Sequence, residues 1–270
     1  AAAAGTPAPE TRLRRAVERR DLAGMINALN LGARARMSSQ EQRELMFMVV
    51  RDSTATATTG ARMLRNLLST GFPPNAYDGH KTLMGYAASR GWVDAVVHLL
   101  EKGADLFSGA WVSPLAWAVS NGKDEIVRLL LRKGPYWNRL SEATKLRMTP
   151  IRTVFQLESE FRFAGSNSYL LPLAARADSR RGVLSILLAA WNEYNRSLPG
   201  GHDDPGAISF ESARGDRAFV EACTRGKVQN AKTIMVSIAL YRDDFSDLPL
   251  HEGLRAAIEH NRVQVVELFF

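Results

Sequence analysis

Thr82–Asp105 (TLMGYAASRGWVDAVVHLLEKGAD) can be laid over Ser113–Gly134 (SPLAWAVSNGKDEIVRLLLRKG) at an offset of 31 residues. Thr82 then meets Ser113, Ala87 meets Ala118, Gly91 meets Gly122 and Gly103 meets Gly134. Self-similarity at a fixed period of this size is the signature of a repeat architecture, in which each unit packs only on its neighbours. The size limit of a single globular core therefore does not bind a chain of 270 residues. Stacked repeats also make extended binding surfaces rather than enclosed active-site clefts.

Within the clearer copy the order is turn, short helix, turn, longer helix, turn. Asp78-Gly79 is a turn dipeptide, and Thr82 is placed to cap the helix that follows. Pro114 falls at a first helical position, where its missing N–H costs nothing. Ala87 and Ala88 are small enough for two helices to approach closely, and Gly91 supplies a left-handed stop. Val93, Val96, Val97, Leu99 and Leu100 then give a second helix its apolar face, and Gly103 ends it.

These residues resemble the ankyrin repeat, whose pattern runs through T-P-L-H-x-A-A-x-x-G, a V-x-x-L-L helix and G-A-D. The likeness is strongest from Asp78 to Gly134. The first copy has Leu83 for the family's Pro and Gly85 for its turn-bracing His; the second restores Pro114 but has Ala116 at the His position. The resemblance implies an all-α solenoid of stacked helix–turn–helix pairs with short hairpin loops, about six to seven repeats, several of them irregular.

Weaker copies extend both ways. Leu13–Arg34 carries Ala16 at the small position and Asp21 at the mid-repeat turn. Leu45–Asn75 ends in a second helix stopped by Gly71, with a long polar connection, Asp52–Gly60, between its helices. Ala218–Met235 has Gly226 at its turn, and Leu254–Phe270 has Asn261 there, the best non-glycine substitute. From Pro135 to Asp216 the spacing is irregular: Met148–Ile151 and Leu171–Ala174 read as repeat starts, Gly182–Tyr194 as a helix, and Asn195–Asp216 as a long loop. The partition expected is a linker over 1–10, repeats over 11–134, distorted repeats over 135–216 with loop 195–216, and C-terminal repeats over 217–270. The small-residue start and the apolar finish VVELFF suggest a piece of a longer chain, truncated at its C-terminal repeat.

The chemistry-bearing residues do not converge. His80, His98, His202, His251 and His260 have no metal-ligand spacing, and His202-Asp203-Asp204 reads as a solvated loop. There is no phosphate loop, nucleophile elbow or metalloprotease motif. The single Cys223 falls at a small helical position and reads as a buried thiol; Glu158, Glu160 and Arg162 read as a mixed-charge surface. No cofactor, no metal and no catalytic residue is expected, and the chain is read as not an enzyme. The longest apolar run, Val183–Trp191 with one Ser, is too short for the roughly 20 residues of a membrane span.

Net charge is +7, yet Arg outnumbers Lys 28 to 7 beside abundant Ala, which points to codon bias more than to nucleic acid. Arg12, Arg14, Arg15, Arg19 and Arg20 read as the polar outer face of a first repeat, with Arg14 and Glu18 four apart. Arg176, Arg180, Arg181, Arg214 and Arg217 border the irregular region and read as solvated.

In the resembled family, partners lie against hairpin tips and first helices. Those positions here are His80, Tyr86, Arg90 and Trp92 in one copy and Trp111, Trp117, Asn121 and Lys123 in the next. Aromatic and Arg side chains of this kind are enriched in interface hot spots. The expectation is a monomeric, non-catalytic module that binds a protein or peptide partner there. Composition and divergence suggest a bacterial effector acting on a host protein in the cytoplasm. The alternatives are a targeting domain of a larger enzyme and an intramolecular regulatory domain.

Overall fold

The computed structural model describes residues 7–52, 54–106, 112–148, 170–176, 182–201, 207, 215–242 and 248–270, without the side chains of 240–242. The chain divides into two compact units, Ala1–Ala110 with Leu140–Leu146, and Trp111–Arg139 with Arg147–Phe270. Among the described residues the secondary structure is helical throughout, with one isolated β-bridge between Tyr77 and Thr82.

In the first unit the helices pair as α1 (Pro9–Glu18) with α2 (Leu22–Asn30), α3 (Ser39–Arg51) with α4 (Ala57–Ser69), and α5 (Leu83–Arg90) with α6 (Val93–Glu101). First helices pack on first helices, α1 on α3 on α5, and second on second, α2 on α4 on α6. In the second unit α7 (Pro114–Ser120) pairs with α8 (Asp124–Leu130), followed by the short α9 (Gly134–Asn138). A further short helix, α10 (Glu142–Arg147), lies mostly within the segment that joins the first unit. The second unit continues with pairs α11 (Leu170–Arg176) and α12 (Val183–Arg196), α13 (Gly215–Thr224) and α14 (Val228–Arg242), and α15 (Leu250–Glu259) and α16 (Val263–Val266). It has the same two layers, α7–α11–α13–α15 and α8–α12–α14–α16. Seven helix pairs are thus present among the described residues, and each unit is a stack of helical hairpins.

Local chemistry explains where the helices start and stop. Asp21, Ser38, Thr56, Thr82 and Ser113 each accept the backbone N–H three residues on, and Ser38 with Glu41 completes a capping box. Each such cap contributes about 1 kcal/mol. The mid-repeat reversal uses left-handed Gly91 (φ 79°) and, without glycine, Asn261 (φ 52°) and Arg20 (φ 56°). Asp21 is therefore the cap of α2, one residue beyond the reversal expected at that position.

Two further expectations change. Asp52–Gly60 is not all connection, because Thr56 caps α4 and Ala57–Gly60 are its first turn. Gly134 does not stop α8; Arg132 takes the left-handed conformation (φ 61°) two residues earlier, and Gly134 opens α9.

Close approach between layers depends on small residues. Ala87, Ala88 and Ala118 are fully buried. Gly60 lies under the indole of Trp92, where an added Cβ would come within 2.2 Å of the ring. Gly253 similarly faces Phe219 and the Cys223 sulfur. Gly60→Ala gains about 1 kcal/mol of helix propensity but drives a methyl into a ring that is itself 3% exposed. The clash dominates, and urea denaturation is expected to show a net loss of about 2 kcal/mol. Combining it with Trp92→Leu should recover part of that loss; additive losses would show that the two residues are not in contact.

Candidate functional site

The expected binding positions divide between the two units. In the first, the hairpin tip after Ala76 turns through Gly79 at φ 93°, a conformation that side chains other than glycine's rarely adopt. Asp78 holds this tip. Its Oδ1 accepts the backbone N–H groups of His80 and Lys81, both at 2.8 Å. Its Oδ2 accepts from Arg51 Nε at 3.1 Å, Arg51 Nη2 and the Tyr86 hydroxyl at 2.8 Å. The carboxylate is only 4% exposed. Burial alone would raise its pKa, but the Lys81 and His80 amides, the Arg51 guanidinium and Tyr86 outweigh it and hold the carboxyl well below its ordinary range.

The network extends along the ends of α1, α3 and α5. Arg20, at the end of α1, donates to both Asp52 oxygens, at 2.7 and 3.1 Å. The Thr54 hydroxyl and amide bond the same carboxylate, which titrates at about 2 with Thr54 and Arg20 as its stabilising partners. Arg90, at the end of α5, donates to the Asp52 and Arg51 carbonyls and caps α3. The Phe47 ring meets Tyr86 edge-on at 6.1 Å and lies under the Arg51 guanidinium at 5.2 Å. Lys81 stands over Tyr86, and Arg90 over Trp92.

This geometry redefines several expected contacts. Trp92 is buried on Gly60, so its indole is a packing residue and not a surface one. Arg90 is half-buried and spent on a helix end, and Tyr86 is half-buried with its hydroxyl on Asp78. His80 is exposed at the tip. In the second unit Trp117 is half-buried on α7, Lys123 is half-buried where α8 begins, and Asn121 is exposed, its amide donating to the Trp117 carbonyl at 2.9 Å. Trp111 lies outside the described residues, as do His202–Asp204, Glu158, Glu160, Arg162, Arg180, Arg181, Arg214 and most of 195–216.

Asp78, Arg51, Asp52, Arg20 and Lys81 were not among the expected site residues. The one signal available was that Arg20 and Arg51 both fall where a first helix ends. Arg14 pairs with Glu44 on α3 at 3.6 Å rather than with Glu18, and Arg176 pairs with Glu221 at 2.8 Å. Cys223 is fully buried, and desolvation pushes its thiol up to about 12, which suits packing and not nucleophilic attack. No metal-holding group of three or more His, Cys, Asp or Glu occurs among the described residues. Nor is any helix there long and apolar enough to cross a membrane.

A family model described as ankyrin repeats (3 copies) matches residues 54–140, from just before α4 to just past α9. Residues 54–140 are ankyrin repeats. The matched span includes the tip at Asp78 and both copies of the 31-residue period. Ankyrin repeats are generally protein–protein interaction modules, which makes the tips and first helices the place to look for a partner. No curated protein matches the chain.

Breaking a buried, hydrogen-bonded ion pair from one side costs on the order of 3 kcal/mol. Asp78→Ala should therefore lower the denaturation free energy by about that much, and Arg51→Ala, which leaves the buried carboxylate without its cation, by a comparable amount. Both Asp52 and Asp78 have depressed folded-state pKa values against an unfolded value near 3.8. Their stabilisation is complete above that value and is lost as pH falls through the folded values. Acid titration by circular dichroism should show a stability loss between about pH 4 and 2 that flattens in Asp52→Ala/Asp78→Ala; an unchanged slope would contradict the assignment.

Proposed function

We propose that this ankyrin-repeat chain is a non-catalytic module that captures a protein partner against its hairpin tips and first helices. The observation that carries the reading is the tip of residues 77–82, fixed by five donors on one buried carboxylate while His80 remains exposed. A surface held in one conformation loses little entropy on binding, and that favours affinity. The buried, high-pKa thiol of Cys223 supports the non-catalytic part of the reading. The narrower reading, a bacterial effector that captures a host protein, rests on composition alone.

The test is affinity capture with mass spectrometry, comparing the wild type with His80→Ala/Asn121→Ala. Both residues are exposed, so the fold should be unaffected and the helical circular dichroism should match. A partner retained by the wild type and depleted with the variant is the expected result. Equal retention by both chains would overturn the assignment of the surface.

A further inference from the structure

The second helices of the first unit turn a different surface to solvent. Packed side by side, α2, α4 and α6 leave outward the stripes Ile26 with Asn30, Arg62 with Arg65 and Ser69, and half-buried His98 with Lys102. Arg34, on the 3-10 turn after α2 (Ala33–Arg36), reaches across to the end of α4, its guanidinium 3.2 Å from where a Cβ on Gly71 would stand. Ser69 meets the His98 ring at 3.2 Å. Desolvation, then Lys102 and Arg65, lower the pKa of His98 against the opposing charge of Glu101, so the local potential is positive. Arg34, Arg62, Arg65 and Lys102 are all exposed, and among the described residues none of these side chains makes a hydrogen bond or ion pair. α4 contains no carboxylate. Asp21 and Asp94 lie at the N-terminal ends of α2 and α6, and Glu101 accepts the Ser141 amide and the Ser141 and Thr144 hydroxyls. Ile26 and Leu31, on α2 and its C-cap, are the large apolar side chains left exposed among the described residues of the three hairpins, at 38% and 48%.

We propose that this face docks the first unit on an anionic membrane surface, with Arg34, Arg62, Arg65 and Lys102 among the headgroups and Ile26 and Leu31 against their apolar boundary. The surface is separate from the tips and first helices that would hold a protein partner. Each Lys or Arg near an anionic leaflet raises partitioning roughly fivefold. Aliphatic side chains at the same depth add apolar burial, so a peripheral contact of this kind needs no membrane-spanning segment. A flat bilayer also accepts cations spread over three elements without a pocket shaped to match them. An acidic peptide would leave Ile26 and Leu31 without a role. Nucleic acid takes about 6–10 phosphate contacts and, as single strands, open stacking rings, whereas α2, α4 and α6 contain no Phe, Tyr or Trp.

Co-sedimentation of the full chain with vesicles of equimolar phosphatidylserine and phosphatidylcholine tests the proposal. Pure phosphatidylcholine vesicles, and labelled oligo-glutamate and oligo-thymidylate read by fluorescence anisotropy, are the rival probes. The expected result is salt-sensitive binding to the mixed vesicles in preference to all three rivals. Arg62→Gln/Arg65→Gln should lower that binding on the order of tenfold, and Ile26→Ser/Leu31→Ser should lower it severalfold. Lys232→Gln/Arg255→Gln, the same charge loss in the second unit, and His80→Ala/Asn121→Ala should bind the vesicles as the wild type does. All the substituted residues are exposed, and matching thermal melts establish that the variants fold. No binding to the mixed vesicles, a preference for either soluble polyanion, equal weakening by the charge variants of both units, or no effect of Ile26→Ser/Leu31→Ser would each overturn the proposal.

Discussion

Each hairpin of this chain can bury its apolar side only against another hairpin, and that constraint governs the rest of the structure. Layers approach closely because Ala87, Ala88, Ala118 and Gly60 present little or no side chain. The helices are short, so each depends on its caps and left-handed stops to define where it ends. Once the stack forms, each first helix buries one side in the core, as Leu13, Leu45 and Leu83 do, while Gly79 and His80 at the tip stay exposed.

Freedom from the core does not leave the tip loose. Asp78 sits at the point where a hairpin reverses, with the ends of two first helices beside it. A carboxylate in this position must be satisfied on all sides, because an unpaired buried charge costs several kcal/mol. Backbone amides, a tyrosine hydroxyl and an arginine from the preceding hairpin meet that requirement together. One group thereby sets the tip conformation, ties α3 to the next repeat and removes a negative charge from the surface.

The fold was legible in the sequence because its determinants are local. Gly91, Gly103, Thr82 and Ser113 act through backbone conformation and capping, which spacing reveals directly. The site was legible only in position. Tyr86 and Trp92 are large side chains at scaffold-variable places, but whether such a ring faces solvent depends on its neighbour across the layer. Gly60 is 32 residues before Trp92, and its missing side chain is what admits the indole. Arg51 and Asp78 are likewise 27 apart, and nothing periodic links them. Asp78-Gly79 announced a turn, and the ion pair that turn holds became visible only when the hairpins were stacked.

The central claim is that Asp78 orders the tip of the first unit before any ligand arrives. Hydrogen–deuterium exchange of the full chain, wild type beside Asp78→Ala, tests it most directly. The amides of His80 and Lys81, both held on Asp78, should exchange slowly in the wild type and much faster in the variant. Rapid exchange of these amides in the wild type, or equal exchange in the two chains, would contradict the account.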